Sequence, residues 1–220
     1  MPLHLLGITR SRDVSAVTEE DLLGQLGVHW IPADELSGAV IDASRVPPEP
    51  LAYAAALDAI HRRICVLPIR YGARMFNEEE LRNALLQKRE ELLKCLDRVE
   101  GASEISLRIS FPQCQTPEAE LPTEAFSPTA YLARRRTLYQ REDRLAEQSR
   151  LTTDRYVRKL GGLYRQWRSL ASSSQGIVRL AFLVERERVG LFRRRLQVLR
   201  NVKQGEQCEI LGPWPPYSFV

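Results

Sequence analysis

Two hydrophobic periods alternate along the chain. Residues 3–8 are a short apolar run stopped by polar residues, which predicts a buried first strand. Thr18 followed by Glu19, Glu20 and Asp21 predicts a helix start, with threonine able to cap free N–H groups and carboxylates set at the positive end of the dipole. A strand or turn is expected at 28–31 and a strand at 38–42. A proline-punctuated loop at 46–50 leads into a helix over 51–64, where Tyr53, Leu57, Ile60 and Ile64 share one face. Residues 65–72 read as a strand that ends in a tight turn, with Pro68 at an edge or bulge. Asn77 caps the next predicted helix, with Glu80 three residues on, and Leu81, Leu85, Leu92, Leu96 and Val99 form its buried stripe up to Gly101. From 103 to 111 the pattern alternates strictly: Ile105, Leu107, Ile109 and Phe111 face one way, and Glu104, Ser106, Arg108 and Ser110 the other. That is a strand with one buried face.

Strands alternating with two long helices over 1–111 predict a sheet covered by helices on one face, in a split βαβ, ferredoxin-like arrangement. Residues 112–128 contain prolines 112, 117, 122 and 128 with three glutamates and have little to bury, so they are expected to link two domains. From 129 to 170 the pattern turns helical. Tyr131, Leu138 and Leu145 lie seven apart, and Tyr156, Leu160, Leu163, Trp167 and Leu170 continue at a 4-3-4-3 spacing. A long helix or helical hairpin is expected there, weakened at Gly161-Gly162. After a Ser-rich loop, residues 177–184 predict a central strand, 186–200 a helix and 207–211 a last strand. The second domain is therefore placed at 129–220, and it repeats the strand and helix style of the first.

Composition refines this picture in a few places. The chain has 220 residues, 44% hydrophobic and 27% charged, with a net charge of +4, which excludes a disordered or fibrous chain. The balance is uneven. Residues 128–170 carry eleven basic and four acidic side chains, with the densest arginine runs at Arg134-Arg135-Arg136 and, later, Arg193-Arg194-Arg195. Cys65, Cys95, Cys114 and Cys208 are scattered with no C-x-x-C pair, so they read as small buried hydrophobes. No apolar run reaches the ~20 residues of a membrane span, and the first residues lack the basic and apolar regions of a signal peptide. A cytoplasmic, soluble protein is expected.

Candidate chemistry is sparse. His4, His29 and His61 are isolated, and only His61 has a metal-ligating residue one turn away, Cys65. Neither H-E-x-x-H, nor a P-loop, nor a Gly-rich dinucleotide turn is present, so no metal, cofactor or catalytic residue is assigned. The arginines of 128–170, with Tyr139, Tyr164 and Trp167 for stacking, admit a nucleic-acid-binding module as the alternative reading. Against it, the arginines spread around the helix and no reading motif accompanies them, so no nucleic acid and no membrane is expected as partner. The C-terminal segment is unusual: Pro213, Trp214, Pro215, Pro216, Tyr217 and Phe219 pack three prolines and three aromatics into the last nine residues. It can neither form a helix nor lie inside a sheet. Two readings stand: the segment folds back on its own domain, or it docks as a stiff ligand in a partner's groove.

Several stretches together resemble one family. Leu211-Gly212-Pro213-Trp214-Pro215-Pro216-Tyr217-Ser218-Phe219 is similar to the C-terminal signature of the GvpF/GvpL family of gas vesicle proteins. Leu5-Leu6-Gly7-Ile8 resembles its opening strand, Val66-Leu67-Pro68-Ile69-Arg70-Tyr71-Gly72 its V-L-P-x-R-[FY]-G strand, and Ala181-Phe182-Leu183-Val184 its A-F-L-V strand. The resemblance implies a two-domain α+β protein, with a ferredoxin-like N-terminal domain and a modified ferredoxin-like C-terminal domain carrying a long helical extension. It also implies a non-catalytic accessory role in forming gas vesicles, with the main hydrophobic shell protein and other accessory gas vesicle proteins as partners. A place as a minor structural component of the vesicle is the other form of that role. On this reading Arg134, Arg135 and Arg136 and the C-terminal segment are candidate partner-binding residues. Pro68, Arg70 and Gly72 are motif residues of structural character, with a buried Arg70 expected to hold carboxylates or backbone carbonyls, and contact with the shell protein as the alternative.

Overall fold

The computed structural model describes residues 2–17, 21–42, 49–111, 128–170, 176–200 and 206–220. The expected Thr18 cap, most of the 46–50 loop and residues 112–127 of the expected linker lie outside the described residues. The chain divides into two compact units, Met1–Glu104 with Gly212–Val220, and Ile105–Leu211.

In the first unit, β1 (Leu3–Arg10) is flanked by β3 (Leu36–Asp42) on one side and by β4 (Leu67–Pro68) and β5 (Arg74–Met75) on the other, with β2 (His29–Ala33) outside β3. The strand order is β2-β3-β1-β4, and the pairs are antiparallel. All eight residues of β1 are buried, the polar His4, Thr9 and Arg10 among them. Both faces of this sheet are covered, against the expectation of helices on one face only. Helix α2 (Pro50–Arg63) packs Tyr53, Ala56, Leu57 and Ile60 with Leu6, Ala39 and Ile41. On the opposite face, a Cβ on Gly38 would lie 2.9 Å from Leu81 of α3 (Glu78–Gln87), so this glycine lets helix and strand approach closely. A short α1 (Asp21–Gln25) precedes β2. Pro68 sits in the two-residue edge strand β4, where its missing N–H costs nothing.

The predicted helix from Asn77 is two helices. Asn77 does cap α3, its side chain accepting from the Glu80 N–H at 2.8 Å. The chain then bends at Lys88 before α4 (Arg89–Val99). No Gly or Pro marks the bend. The apolar stripe skips from Leu85 to Leu92, and Arg89 turns instead to Asp34 at 2.9 Å and to Glu35 on the β2–β3 turn.

In the second unit the order is β7 (Gln166–Ser169), β8 (Ile177–Glu185), β6 (Ala102–Ser110), β9 (Gln207–Trp214), the same strand, helix, hairpin, helix, strand succession as before. β6 and β9 each begin in one unit and continue into the other. Ile105, Leu107 and Ile109 of β6, Leu180, Phe182 and Val184 of β8, Tyr156 of α5 (Pro128–Lys159) and Phe192 and Leu196 of α6 (Val189–Arg200) form the core. β8 is central, and both its faces are buried from Leu180 to Val184.

The helix expected to run to residue 170 stops at Lys159. Gly162 adopts a positive φ of 81°, a conformation that ends helices and favours glycine. Trp167 then belongs to β7, opposite Phe182, and not to a helical seam. The 4-3-4-3 spacing fits a helix only as far as Leu160, because beyond it the hairpin with β8 supplies the backbone hydrogen bonds.

Candidate functional site: the C-terminal clasp and the basic helix

The C-terminal segment packs with Met1–Glu104. Pro215, Pro216 and Phe219 are buried, and Phe219 is fully so. The Glu104 carboxylate, itself buried, accepts the Ser218 N–H at 2.7 Å and the Ser218 hydroxyl at 2.8 Å. Arg98 on α4 donates to the Phe219 carbonyl at 2.8 Å. Gly212 holds a φ of 101°, and a Cβ there would stand 2.6 Å from the Glu104 carbonyl oxygen. Only glycine fits this entry to the clasp. Trp214 and Tyr217 remain 44% and 43% exposed. The segment thus anchors itself through Pro215, Pro216, Ser218 and Phe219 and keeps an aromatic outer side; Pro213 is exposed as well.

The strand-and-turn motif at 66–72 lies in the same unit. Tyr53 of α2 braces this motif. Its hydroxyl donates to the Ile69 carbonyl at 2.6 Å, its ring meets Tyr71 edge-on at 5.3 Å, and burial pushes its ionisation well above the ordinary phenol range, with Tyr217 adding to the effect. Tyr217 shifts the same way, first through burial and then through the nearby carboxylates of Glu104 and Asp58. Both tyrosines stay protonated at neutral pH. Gly72 supplies the turn at φ 86°. Arg70 is exposed and does not hold buried carboxylates; its carbonyl accepts the Ala73 N–H at 3.2 Å, closing the turn, while the side chain points outward. The strand's shortness explains this: buried Leu67 and Pro68 pair with β1, and the chain has left the sheet by residue 70.

The arginine run lies in the other unit, on α5. Arg135 and Arg136 are exposed; Arg135 donates to the Tyr139 hydroxyl at 3.0 Å and its guanidinium lies 5.6 Å from that ring's centre. Arg134 also falls in this helix. The structure therefore gathers Pro68, Gly72 and the C-terminal residues into one unit and leaves the arginines in another.

The sequence reading missed Glu104 and Arg98 as clasp residues. Glu104 sits in the polar phase of the 103–111 alternation, and nothing local signals that a segment over a hundred residues away covers it. Elsewhere, His61 pairs with Ser103 at 2.9 Å inside the fold, and burial with the Arg74 charge disfavours a charged His4. Among the described residues, no group of three His, Cys, Asp or Glu side chains is placed to hold a metal, and no helix is long and apolar enough to cross a membrane.

Comparison with known proteins places this architecture. The fold matches crystal structures of the gas vesicle protein GvpF from Anabaena sp. PCC7120, with a TM-score of 0.73 and 16% identity over 99% of this chain and 97% of that one. It matches GvpF from Microcystis aeruginosa with a TM-score of 0.71 and 12% identity, over 99% and 98% of the two chains. In sequence it is 25% identical over 183 residues to gas vesicle protein L of Streptomyces sp. (strain CB03234), covering 77% of this chain and 67% of that protein. The family described as gas vesicle synthesis protein GvpL/GvpF matches residues 3–220, so the α+β chain with its C-terminal clasp belongs to the GvpL/GvpF family of gas vesicle proteins.

Proposed function

We propose that this chain is a non-catalytic accessory protein of gas vesicle formation, acting in the cytoplasm and binding the main hydrophobic shell protein and other accessory gas vesicle proteins during assembly. The observation that carries this reading is the family match across residues 3–220, which takes in both units and the clasp. The chemistry supports it: small apolar shell subunits associate through exposed apolar patches unless they are held. The clasp offers Trp214 and Tyr217 as aromatic surface fixed on a packed base, and α5, which also carries Arg134, offers cationic surface through Arg135 and Arg136. Both βαββαβ successions, with their shared 2-3-1-4 strand order, support a ferredoxin-like reading of each unit, the second modified by its long helix.

The test is co-purification of the shell protein with the full chain, compared with a Trp214→Ser/Tyr217→Ser variant that leaves Phe219 and Ser218 anchored. Retained folding with lost shell-protein capture supports the clasp as docking surface. Unchanged capture removes the clasp from the interface, and no capture by the wild-type chain counts against the accessory role as stated.

A further inference from the structure

Helix α5 is two structures in one. Its second half rests on the sheet of its own unit, burying Ser149, Thr152 and Tyr156, with Leu160 buried just beyond its end. Its first half does not: every described side chain from Leu132 to Arg144 is exposed, including Leu132 at 62%, Leu138 at 51% and Tyr139 at 51%. These thirteen residues of helix, about 20 Å at 1.5 Å per residue, thus hold Leu132, Leu138 and Tyr139 in water. A helix of that length is marginal on its own, and its stability ordinarily comes from packing an apolar face.

The exposed part has such a face. Leu138, Leu145 and Thr152 are seven apart and share a line that continues the buried line of the second half. Leu132 and Tyr139, also seven apart, form a second line beside it. Arg135 lies between the two lines and is held over the Tyr139 ring, while Arg136 and Arg141 fall on the two outer flanks at 100° per residue. The acids Glu142 and Asp143 come only at its inner end. An apolar stripe bordered by arginine on both sides is complementary to a helix whose own stripe is bordered by carboxylates. A second copy of this basic arm is the wrong occupant, because like charges would face each other. Nucleic acid would leave Leu132 and Leu138 unused.

We propose that residues 132–144 of α5 form a docking site for an acidic amphipathic helix of a partner protein. The site deepens the accessory role above by naming a partner class, and it rests on that reading for its biological setting only. Leu132, Leu138 and Tyr139 take up the partner's apolar stripe, and Arg135, Arg136 and Arg141 pair with its flanking carboxylates.

The test uses the full chain and a fluorescent 21-residue peptide of three heptads, with leucine at the apolar positions and glutamate at the flanking ones. A lysine version of the peptide, a random DNA duplex and phosphatidylserine vesicles are titrated in parallel. Saturable binding of the glutamate peptide is expected, at least tenfold tighter than that of the lysine peptide. R135E/R136E/R141E should weaken it at least tenfold and gain affinity for the lysine peptide, and Leu132→Ala/Leu138→Ala should weaken it too. These positions are exposed, so the variants keep the fold, and circular dichroism checks that they do. Absent binding, binding that survives charge reversal, or binding only to DNA or vesicles overturns the site. Such failure leaves the accessory role untouched, because that role is scored by vesicle formation in cells.

Discussion

Glu104→Gln is the most exacting perturbation of the clasp. The ionised carboxylate accepts two hydrogen bonds from Ser218, at 2.7 and 2.8 Å, in a buried setting. Hydrogen bonds to a charged group contribute about 1.5–3 kcal/mol each. Glutamine preserves the shape and one acceptor, but it turns an amide N–H₂ toward the other donor and removes the charge from both bonds. Part of the loss is recovered when the segment frays and Ser218 meets water. A net destabilisation of about 2 kcal/mol follows, a large fraction of the ~5–15 kcal/mol that a typical domain has in total. Urea unfolding gives the global number, and amide exchange at Ser218 and Phe219 gives the local one. A double-mutant cycle with Ser218→Ala isolates the hydroxyl bond, with a coupling of about 1 kcal/mol expected. A change within 0.5 kcal/mol together with unaltered exchange at Ser218 would refute the clasp as an energetic unit.

Other outcomes follow from single contacts. Gly212→Ala forces a Cβ to within 2.6 Å of the Glu104 carbonyl at a positive φ, so it should lower the unfolding midpoint and raise exchange in the last eight residues more than elsewhere. Asn77→Ala removes the oxygen that accepts from Glu80 N–H and should cost ~1 kcal/mol in urea unfolding, with Asn77→Asp close to wild type. His4 has its ionisation lowered from 6.5 by burial and then by Arg74, so the unfolded chain takes up this proton first as pH falls. Its contribution to stability is full above pH 6.5 and is lost as pH falls through the depressed folded value. His4→Leu should therefore lose less stability between pH 7 and pH 5 than wild type does, measured by thermal unfolding at each pH.

Where a segment's partners are its own near neighbours, the sequence showed it. The strict alternation at 105–111, the Asn77 cap and the apolar run of the central strand each report a local period, and each became the expected element. Distant partners are invisible to such patterns. Trp167 and Leu170 continue a helical spacing, yet Gly162 stops the helix and β8 offers Gln166–Ser169 a strand partner. At the bend after Lys88, Arg89 reaches Asp34 and Glu35, more than fifty residues away. The C-terminal motif advertised itself by composition, but its anchors, Glu104 and Arg98, carry no local mark. Arg70 misled for a related reason: a charged residue inside an apolar motif suggests a buried ion, while the chain had already turned to the surface there.

The accessory role itself is tested most directly by deleting the gene in its own host and scoring gas vesicles by electron microscopy, with the wild-type gene returned on a plasmid. The account predicts absent or sharply reduced vesicles on deletion and their restoration by the wild-type gene. Vesicles of normal number and shape in the deletion strain would contradict it.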